Sequence, residues 1–301
     1  MSGPIWGGTT YVYPMQLIAD SGSTKTAWCL LDETGTVVHR ARTSGLNPLL
    51  IGAAQLRRTL TDVAAQLPAR PTVAHFYGSG CGDAERQRQV RDAFAHAFGA
   101  ELPVSVTGDL LGAARAVCGH TSGIACILGT GMNSCYYDGR KIVRNLPSLG
   151  FVLGDEGSGT ILGKELLRDY FYGACPAEVA QSIAERLPGG RSELLTRVYQ
   201  QEAPTQFLAS FTRALTAHRQ QPYTQALLRR VFDQFAERIL GAYPESSSQS
   251  VHFVGSIADV FAPELRAVLD AHGYRVGRVL ADPMPGLIAY HTQILPDWLK
   301  A

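Results

Sequence analysis

What this sequence lacks narrows it before anything it contains. Its six cysteines, Cys29, Cys81, Cys118, Cys126, Cys135 and Cys175, include no C-x-x-C pair. Most of them sit in apolar strand-like or helix-like stretches, as reduced core thiols do, so the chain is expected in a reducing cytosol. Charge of one sign is missing too. With 27 Lys and Arg against 26 Asp and Glu the formal charge is +1, which leaves no electrostatic footprint for nucleic acid or an acidic membrane and favours small-molecule chemistry. No apolar run approaches the roughly 18 residues of a membrane span. The opening MSGPIWGGTTYVYP has neither a basic n-region nor an apolar h-region and reads as a short tail or an added strand, with Met15 an alternative start. The histidines, His39, His75, His96, His120, His218, His252, His272 and His291, show no ligand spacing and read as scattered surface or satisfied residues; structural zinc is not expected. G-x-x-x-x-G-K-[ST] and a helix-opening G-x-G-x-x-G are both absent, so a P-loop or dinucleotide fold is unsupported.

What is there is an alternation of strands and helices, and a repeat. At 301 residues the chain exceeds one ordinary core, and a prior of roughly 100–200 residues per domain predicts two. MQLIAD, TAWCLLD and TVVHRAR read as strands, the last two joined in a hairpin through Asp32-Glu33-Thr34-Gly35. LLIGAAQLRRTLTDVAAQL, AERQRQVRDAFAHAF and LLGAARAVC have helical spacing, with the strands TVAHFYGSG and LPVSVTGD between them, giving βββαβαβα. Open sheets of this kind carry ligands at the carboxyl ends of their strands, so the loops at Asp20, Gly78 to Gly82 and Asp109 should converge. The segment GIACILGTGMNSCYYDGRKIVRNL then repeats the opening: apolar strand, glycine- and hydroxyl-rich turn, strand, Asp-Gly turn, strand. LGTGMNS (128–134) stands where ADSGSTK stood in LIADSGSTKT (17–26). Each turn alone could be a polar hairpin. Repeated in matching positions, they suit the phosphates of a nucleotide, because glycines let backbone N–H groups approach, hydroxyls donate, and a nearby carboxylate holds Mg²⁺ through its waters.

The set DSGSTKT (20–26), GLNPL (45–49), TGD (107–109), GTGMNS (129–134), LGDEGSG (153–159) and FVGSIA (253–258), in this order, resembles the N-acetylglucosamine kinase branch of the BadF/BadG/BcrA/BcrD ATPase family, part of the actin-like, sugar-kinase and heat-shock-chaperone superfamily. The likeness runs from about Met15 onward, and GTGxNS followed by LGDEGSG is its most specific part. It implies an α/β fold of two ribonuclease-H-like (actin-like ATPase) domains with an ATP cleft between them. Residues 15–112 would form the first domain, with a closing helix 286–301 packed back on it, and 113–285 the second, with a helical insertion.

Position by position, the resemblance implies that Asp20 binds Mg²⁺ through water and that Gly22, Ser23, Thr24 and Lys25 cradle the β- and γ-phosphates. Gly129, Thr130, Gly131 and Asn133 would form the opposite phosphate turn, and Gly255 and Ser256 would lie beside the adenosine. Asn47, Asp155, Glu156 and Thr130 would contact the sugar, and Asp109 would be the catalytic aspartate. Structural alternatives stand beside these roles: Asp109 could cap the helix that follows, Asn47 could start one before Pro48, and Asp155-Glu156 could lead one after Gly157. The implied activity is ATP-dependent phosphorylation of an amino sugar, N-acetylglucosamine to its 6-phosphate, by a cytoplasmic homodimer with no nucleic-acid or membrane partner. Where animal-type enzymes carry Gly-Trp-Gly before GDEGS, this chain reads Ser148-Leu149-Gly150-Phe151, so an aromatic platform for the sugar is missing there. Glucosamine, N-acetylmannosamine, N-acetylmuramic acid and glucose therefore stay open as substrates. Two other classes stay open. One is an iron–sulfur ATPase activator of a radical dehydratase, for which Cys126 and Cys135 flank the second turn but lie in predicted strands; the other is a non-catalytic sugar sensor.

Overall fold

The computed structural model describes residues 14–201 and 203–292. The expected N-terminal tail, apart from Pro14, and the end of the closing helix from residue 293 lie outside the described residues. The chain divides into two compact units: one runs to Gly112 and takes back the segment from Met284, the other spans Ala113–Pro283.

The first unit is built on β1 (Gln16–Ser21), β2 (Lys25–Leu31), β3 (Val37–Ser44), α1 (Ala53–Gln66), β4 (Val73–Gly78), α2 (Ala84–Phe98), β5 (Val104–Gly108) and α3 (Asp109–Cys118), within which the boundary falls. Its sheet has the order β3-β2-β1-β4-β5, antiparallel across β3, β2 and β1 and parallel from β1 through β4 to β5. Burial explains the strand sequences. Central β1 is buried almost throughout, with Leu17, Ile18 and Ala19 at its middle, whereas edge strand β3 alternates between half-buried and exposed residues. α1 faces the core with Leu56, Leu60 and Val63, and α2 packs beside it with Val90, Phe94 and Phe98. Trp28, Phe76 and Phe94 meet there with ring centroids 5.9–6.2 Å apart. Asp83 caps α2 by accepting from Arg86 N at 2.9 Å, and Gly99, at φ 90°, ends it.

The helix expected from Leu49 begins only at Ala53. Residues 47–51 form a turn instead, with Leu49 N donating to Asn47 Oδ1 at 2.9 Å and Leu50 N and Ile51 N to Asn47 O. Asn47 therefore closes a turn and starts no helix, because its side chain competes successfully for the following N–H.

The second unit repeats the sheet. β6 (Ser122–Leu128), β7 (Met132–Asp138) and β8 (Ile142–Leu146) are followed by α4 (Gly150–Leu153), α5 (Gly159–Phe171), α6 (Ala177–Arg186), α7 (Gly190–Tyr199), α8 (Pro204–Ser210), α9 (Thr212–Ala217) and α10 (Pro222–Arg238). Then come β9 (Val251–Val254), α11 (Ser256–Val260), α12 (Ala262–Ala271) and β10 (Val276–Leu280), and α13 (Met284–Thr292) returns to the first unit. The order β10-β9-β6-β7-β8 is the first sheet's order read from the other edge, with the same parallel and antiparallel pairs. Each unit thus has the ribonuclease-H-like topology. The second differs by carrying α4–α10 where the first has α1 alone, and its core of β6, β9, α5, α10 and α12 is correspondingly larger.

α13 lies against β1 and β4: His291 stacks on His75 with ring centroids 3.9 Å apart, and its Nε2 is 2.8 Å from Tyr77 Oη. These two histidines are partners rather than scattered residues. Their separation along the chain hid this.

Candidate active site

In the first unit the register decides what lies side by side. Ser21 pairs with Gly78, and Gly78 with Gly108, so the residues leaving that rung emerge together at the carboxyl edge of β1, β4 and β5. They are Gly22, Ser79 and Asp109. Ser79 joins all three loops: its N–H donates to Ser21 O at 2.8 Å and its hydroxyl to Asp109 Oδ2 at 2.5 Å. Asp109 Oδ1 accepts from Leu110 N at 2.9 Å. An N-cap aspartate accepts from an N–H two or three residues on, so these bonds fit a carboxylate held for other work better than a cap. Burial raises the Asp109 pKa, and the bonds from Ser79 and Leu110, which favour the ionised form, oppose that only in part.

The turn between β1 and β2 is tight, with Gly22 N donating to Lys25 O at 2.9 Å, and it leaves Ser23, Thr24 and Lys25 exposed. Ser21, fully buried, ties it to the Asn47 loop: its hydroxyl accepts from Leu46 N at 3.0 Å and meets Thr26 Oγ1 at 2.8 Å. Asn47 Nδ2 donates to Ser23 Oγ at 3.2 Å. Gly45 makes this approach possible, since a Cβ there would sit 2.4 Å from the Ser23 backbone. Asp20, half-buried, is the next-to-last residue of β1, one residue before Ser21 and the turn. One carboxylate next to exposed hydroxyls and a lysine fits Mg²⁺ held through water and phosphate oxygens; among the described residues no three metal-ligating side chains cluster into an all-protein cage.

In the second unit the turn between β6 and β7 is braced from behind. Gly129 N donates to Gly131 O at 3.1 Å, Gly159 N to Gly129 O at 2.8 Å, and the buried Thr160 gives both its N–H and its hydroxyl to Thr130 O. Thr130 itself is exposed. Asp155, buried and at φ 64°, accepts from Met132 N at 3.1 Å, and so bonds to the turn directly. Its pKa is raised, chiefly by burial and further by the neighbouring Glu156, against the Met132 bond and Lys164. Ser158 caps α5 by accepting from Ile161 N at 3.3 Å, so Asp155-Glu156 does not lead that helix. Glu156 Oε1 lies 3.6 Å from Arg238 Nη1. Gly255, at φ 127°, stands where a Cβ would come within 2.3 Å of Leu128 O, and it delivers Ser256 to the exposed first position of α11.

Sequence reasoning thus named the loops but missed Ser21, Ser79, Gly45 and Thr160, the residues that fasten them. Ser79 stood inside the strand-end loop Gly78 to Gly82, and its place next to a strand terminus was the available signal. At Ser148-Leu149-Gly150-Phe151 the structure has α4, with Leu149, Val152 and Leu153 exposed by 58%, 71% and 74%, and Phe151 anchored through its carbonyl to Lys164 Nζ at 2.8 Å. Cys126 and Cys135 lie within β6 and β7, fully buried, and burial pushes the Cys135 thiol up to about 12. Among the described residues no helix is long and apolar enough to cross a membrane.

No family model matches the chain, and no curated protein does. Solved structures do match. A provisionally named N-acetylglucosamine kinase from Porphyromonas gingivalis is 35% identical, with 93% of this chain and 99% of that one covered and a TM-score of 0.85. Another so named, from Chromobacterium violaceum, shares the fold at 21% identity, 93% and 99% coverage and a TM-score of 0.70. A ROK family glucokinase from Streptomyces griseus, solved with glucose and AMPPNP, shares it more distantly at 15% identity, 92% and 98% coverage and a TM-score of 0.56. Two sheets of one topology, glycine turns in matching positions and 35% identity over nearly the whole length lead to one assignment: the chain belongs to the N-acetylglucosamine kinase-like branch of the BadF/BadG/BcrA/BcrD ATPase family, within the actin-like ATPase superfamily.

Proposed function

We propose that this protein transfers the γ-phosphoryl group of ATP to an amino sugar, converting N-acetylglucosamine to its 6-phosphate. The observation that supports this best is Asp109, half-buried at the carboxyl edge of β5, held by Ser79 and bonded through it to the loop that begins the Gly22 turn. In this reading the sugar 6-hydroxyl oxygen attacks the γ-phosphorus, the bond from that phosphorus to the β,γ-bridging oxygen breaks, and ADP leaves. The hydroxyl proton passes to Asp109, whose raised pKa suits it to receive one. As much of the effect comes from orienting the attacking oxygen, because the transition state of phosphoryl transfer is loose.

Gly22, Ser23, Thr24 and Lys25 take the β- and γ-phosphates; Gly129, Thr130, Gly131 and Asn133 supply the second phosphate turn; Gly255 and Ser256 lie beside the adenosine. Asn47, Asp155, Glu156 and Thr130 hold the sugar. Mg²⁺, held by Asp20 through water, neutralises phosphate charge when bound. The exposed aliphatic residues Leu149, Val152 and Leu153, the last of them one glycine before Asp155, favour a sugar with an apolar substituent such as the acetamido methyl. Burial of Cys126 and Cys135 inside adjacent strands weighs against an iron–sulfur activator, whose cluster needs accessible thiolates.

A coupled ADP-release assay across N-acetylglucosamine, glucosamine, N-acetylmannosamine, N-acetylmuramic acid and glucose tests the reading. Sugar-dependent ADP release with N-acetylglucosamine preferred is the expected result. ATP hydrolysis indifferent to every sugar overturns it.

A further inference from the structure

We propose that Asn145, which has no part in the reading above, is a positioning residue that sets which end of the Asn133 amide is offered to phosphate. The inference rests on the second glycine turn being a phosphate turn. A primary amide carries an acceptor and two donors on groups of nearly equal size, so hydrogen bonding rather than shape decides which end points where. Here Asn133 Oδ1 is taken twice: Ser134 N donates to it at 2.9 Å and Asn145 Nδ2 at 3.2 Å. Among the described residues Nδ2 of Asn133 has no such partner, so the donor end is the one left for a ligand. A phosphate oxygen accepts from that end and would be repelled by the other.

Asn145 is itself held in one orientation. It sits on β8 opposite Cys135, and its second N–H donates to Ser134 O at 2.8 Å, so both amide protons are committed to β7. Tyr243 keeps β8 in place there, its hydroxyl accepting from Leu146 N at 3.1 Å and meeting Ser134 Oγ at 2.9 Å. The Asn145 amide can therefore present only a donor to Asn133, and Asn133 can answer only with its oxygen. A sequence reading has no access to this, because Asn145 follows the turn by a whole hairpin and belongs to no glycine-rich stretch.

The test uses the full chain and two variants of Asn145. Asn145→Asp replaces the donor by an acceptor, which draws Asn133 Nδ2 inward and turns its oxygen outward; Asn145→Leu removes the donor without reversing it. Asn145→Asp should raise KM for ATP and Kd for AMPPNP by about 10-fold or more, the scale of one hydrogen bond to a charged group, while KM for the sugar and kcat at saturating ATP stay within about threefold. Asn145→Leu should give a smaller rise of the same kind. In an Asn133→Ala background the Asp substitution should add less than about twofold, because the amide it acts through is gone. Equal effects with and without Asn133 would assign the change to added charge or to loss of strand pairing and overturn the proposal. So would a folded Asn145→Asp protein that binds AMPPNP as the wild type does. Wild-type protein that binds no AMPPNP would instead remove the phosphate-turn reading, and this proposal with it.

Discussion

Ser21, Gly78 and Gly108 share one rung of the first sheet; Ile127, Val254 and Leu280 share the matching rung of the second. From the first rung the chain runs into Gly22, Ser79 and Asp109, with Asp20 one residue before it, and two carboxylates stand at a strand edge. From the second it runs toward the Gly129 turn, Gly255 and Ala281, which carry no charge, with Asp282 one residue further on. The carboxylate bonded to that turn, Asp155, arrives from the segment between α4 and α5, part of the long helical insertion. Duplication thus preserved the backbone device, a glycine turn between two antiparallel strands, because its geometry follows from local sequence. The charges differ in placement: Asp20 is next to last in β1 and Asp109 first in α3, whereas Asp155 stands on the connection between α4 and α5, where insertion costs the sheet little.

The largest expected effect breaks the comparison at its first half. Asp109→Asn keeps the shape and the acceptor for Ser79 but loses the charge, and should lower kcat by about 10²–10⁴, the usual range for general-base catalysis. The sign of the stability change follows from the raised pKa. A carboxyl with a folded pKa above its unfolded value stabilises the fold relative to neutral pH only when protonated, and that contribution is lost as pH rises through the two pKa values. At neutral pH the Asn variant should therefore melt at the same temperature or higher. A lower Tm with kcat within about threefold would make Asp109 a helix cap.

Asp20→Asn comes next. It should depress turnover by about 10²–10³, the scale of removing one electrostatic stabiliser, and raise the Mg²⁺ concentration needed for half-maximal rate. Wild-type rates at saturating Mg²⁺ would remove Asp20 from the reaction. The pH profile sharpens the same half: kcat/KM should fall as pH drops through a value above the ordinary Asp pKa of 3.8, because only the ionised Asp109 accepts the proton. That limb should vanish in Asp109→Asn.

In the second half the expected effects are on stability and binding. Asp155→Ala strips the acceptor from Met132 N and puts a Cβ-bearing residue without a local hydrogen bond at φ 64°. It should cost about 1–3 kcal/mol for the unsatisfied donor, and Asp155→Gly should recover about 1 kcal/mol of that by relieving the left-handed backbone. Equal denaturant midpoints for the two would mean that φ carries no strain. Smallest is Val152→Ser with Leu153→Ser on exposed α4, within about 0.5 kcal/mol of wild-type stability, yet raising KM for acylated sugars more than for glucose. A uniform change across sugars would detach α4 from substrate choice.

Much of this was legible in the residues. The duplicated strand–turn–strand pattern, the Asp-Gly hairpins and the βββαβαβα order come from period-two and period-3.6 apolar spacing and from glycine chemistry, all of which act over a few neighbouring residues. The resemblance named Asp20, Asn47, Asp109, Asp155 and both turns on the same footing. Asn47 shows where local reading failed: next to Pro48 it looked like the start of a helix, but its own carbonyl and side chain closed a turn first.

By itself, then, the sequence determined the elements, their two-fold repetition and the candidate chemistry, since strand, turn and helix signals are properties of adjacent residues. Only the tertiary structure decided which hydroxyl holds Asp109, that Ser21 and Gly45 bind three loops into one edge, that His75 and His291 stack, and that Asn145 faces Asn133. Those contacts depend on strand register and on which helix returns to which sheet. A shift of one residue in register would exchange every partner while leaving the local pattern unchanged.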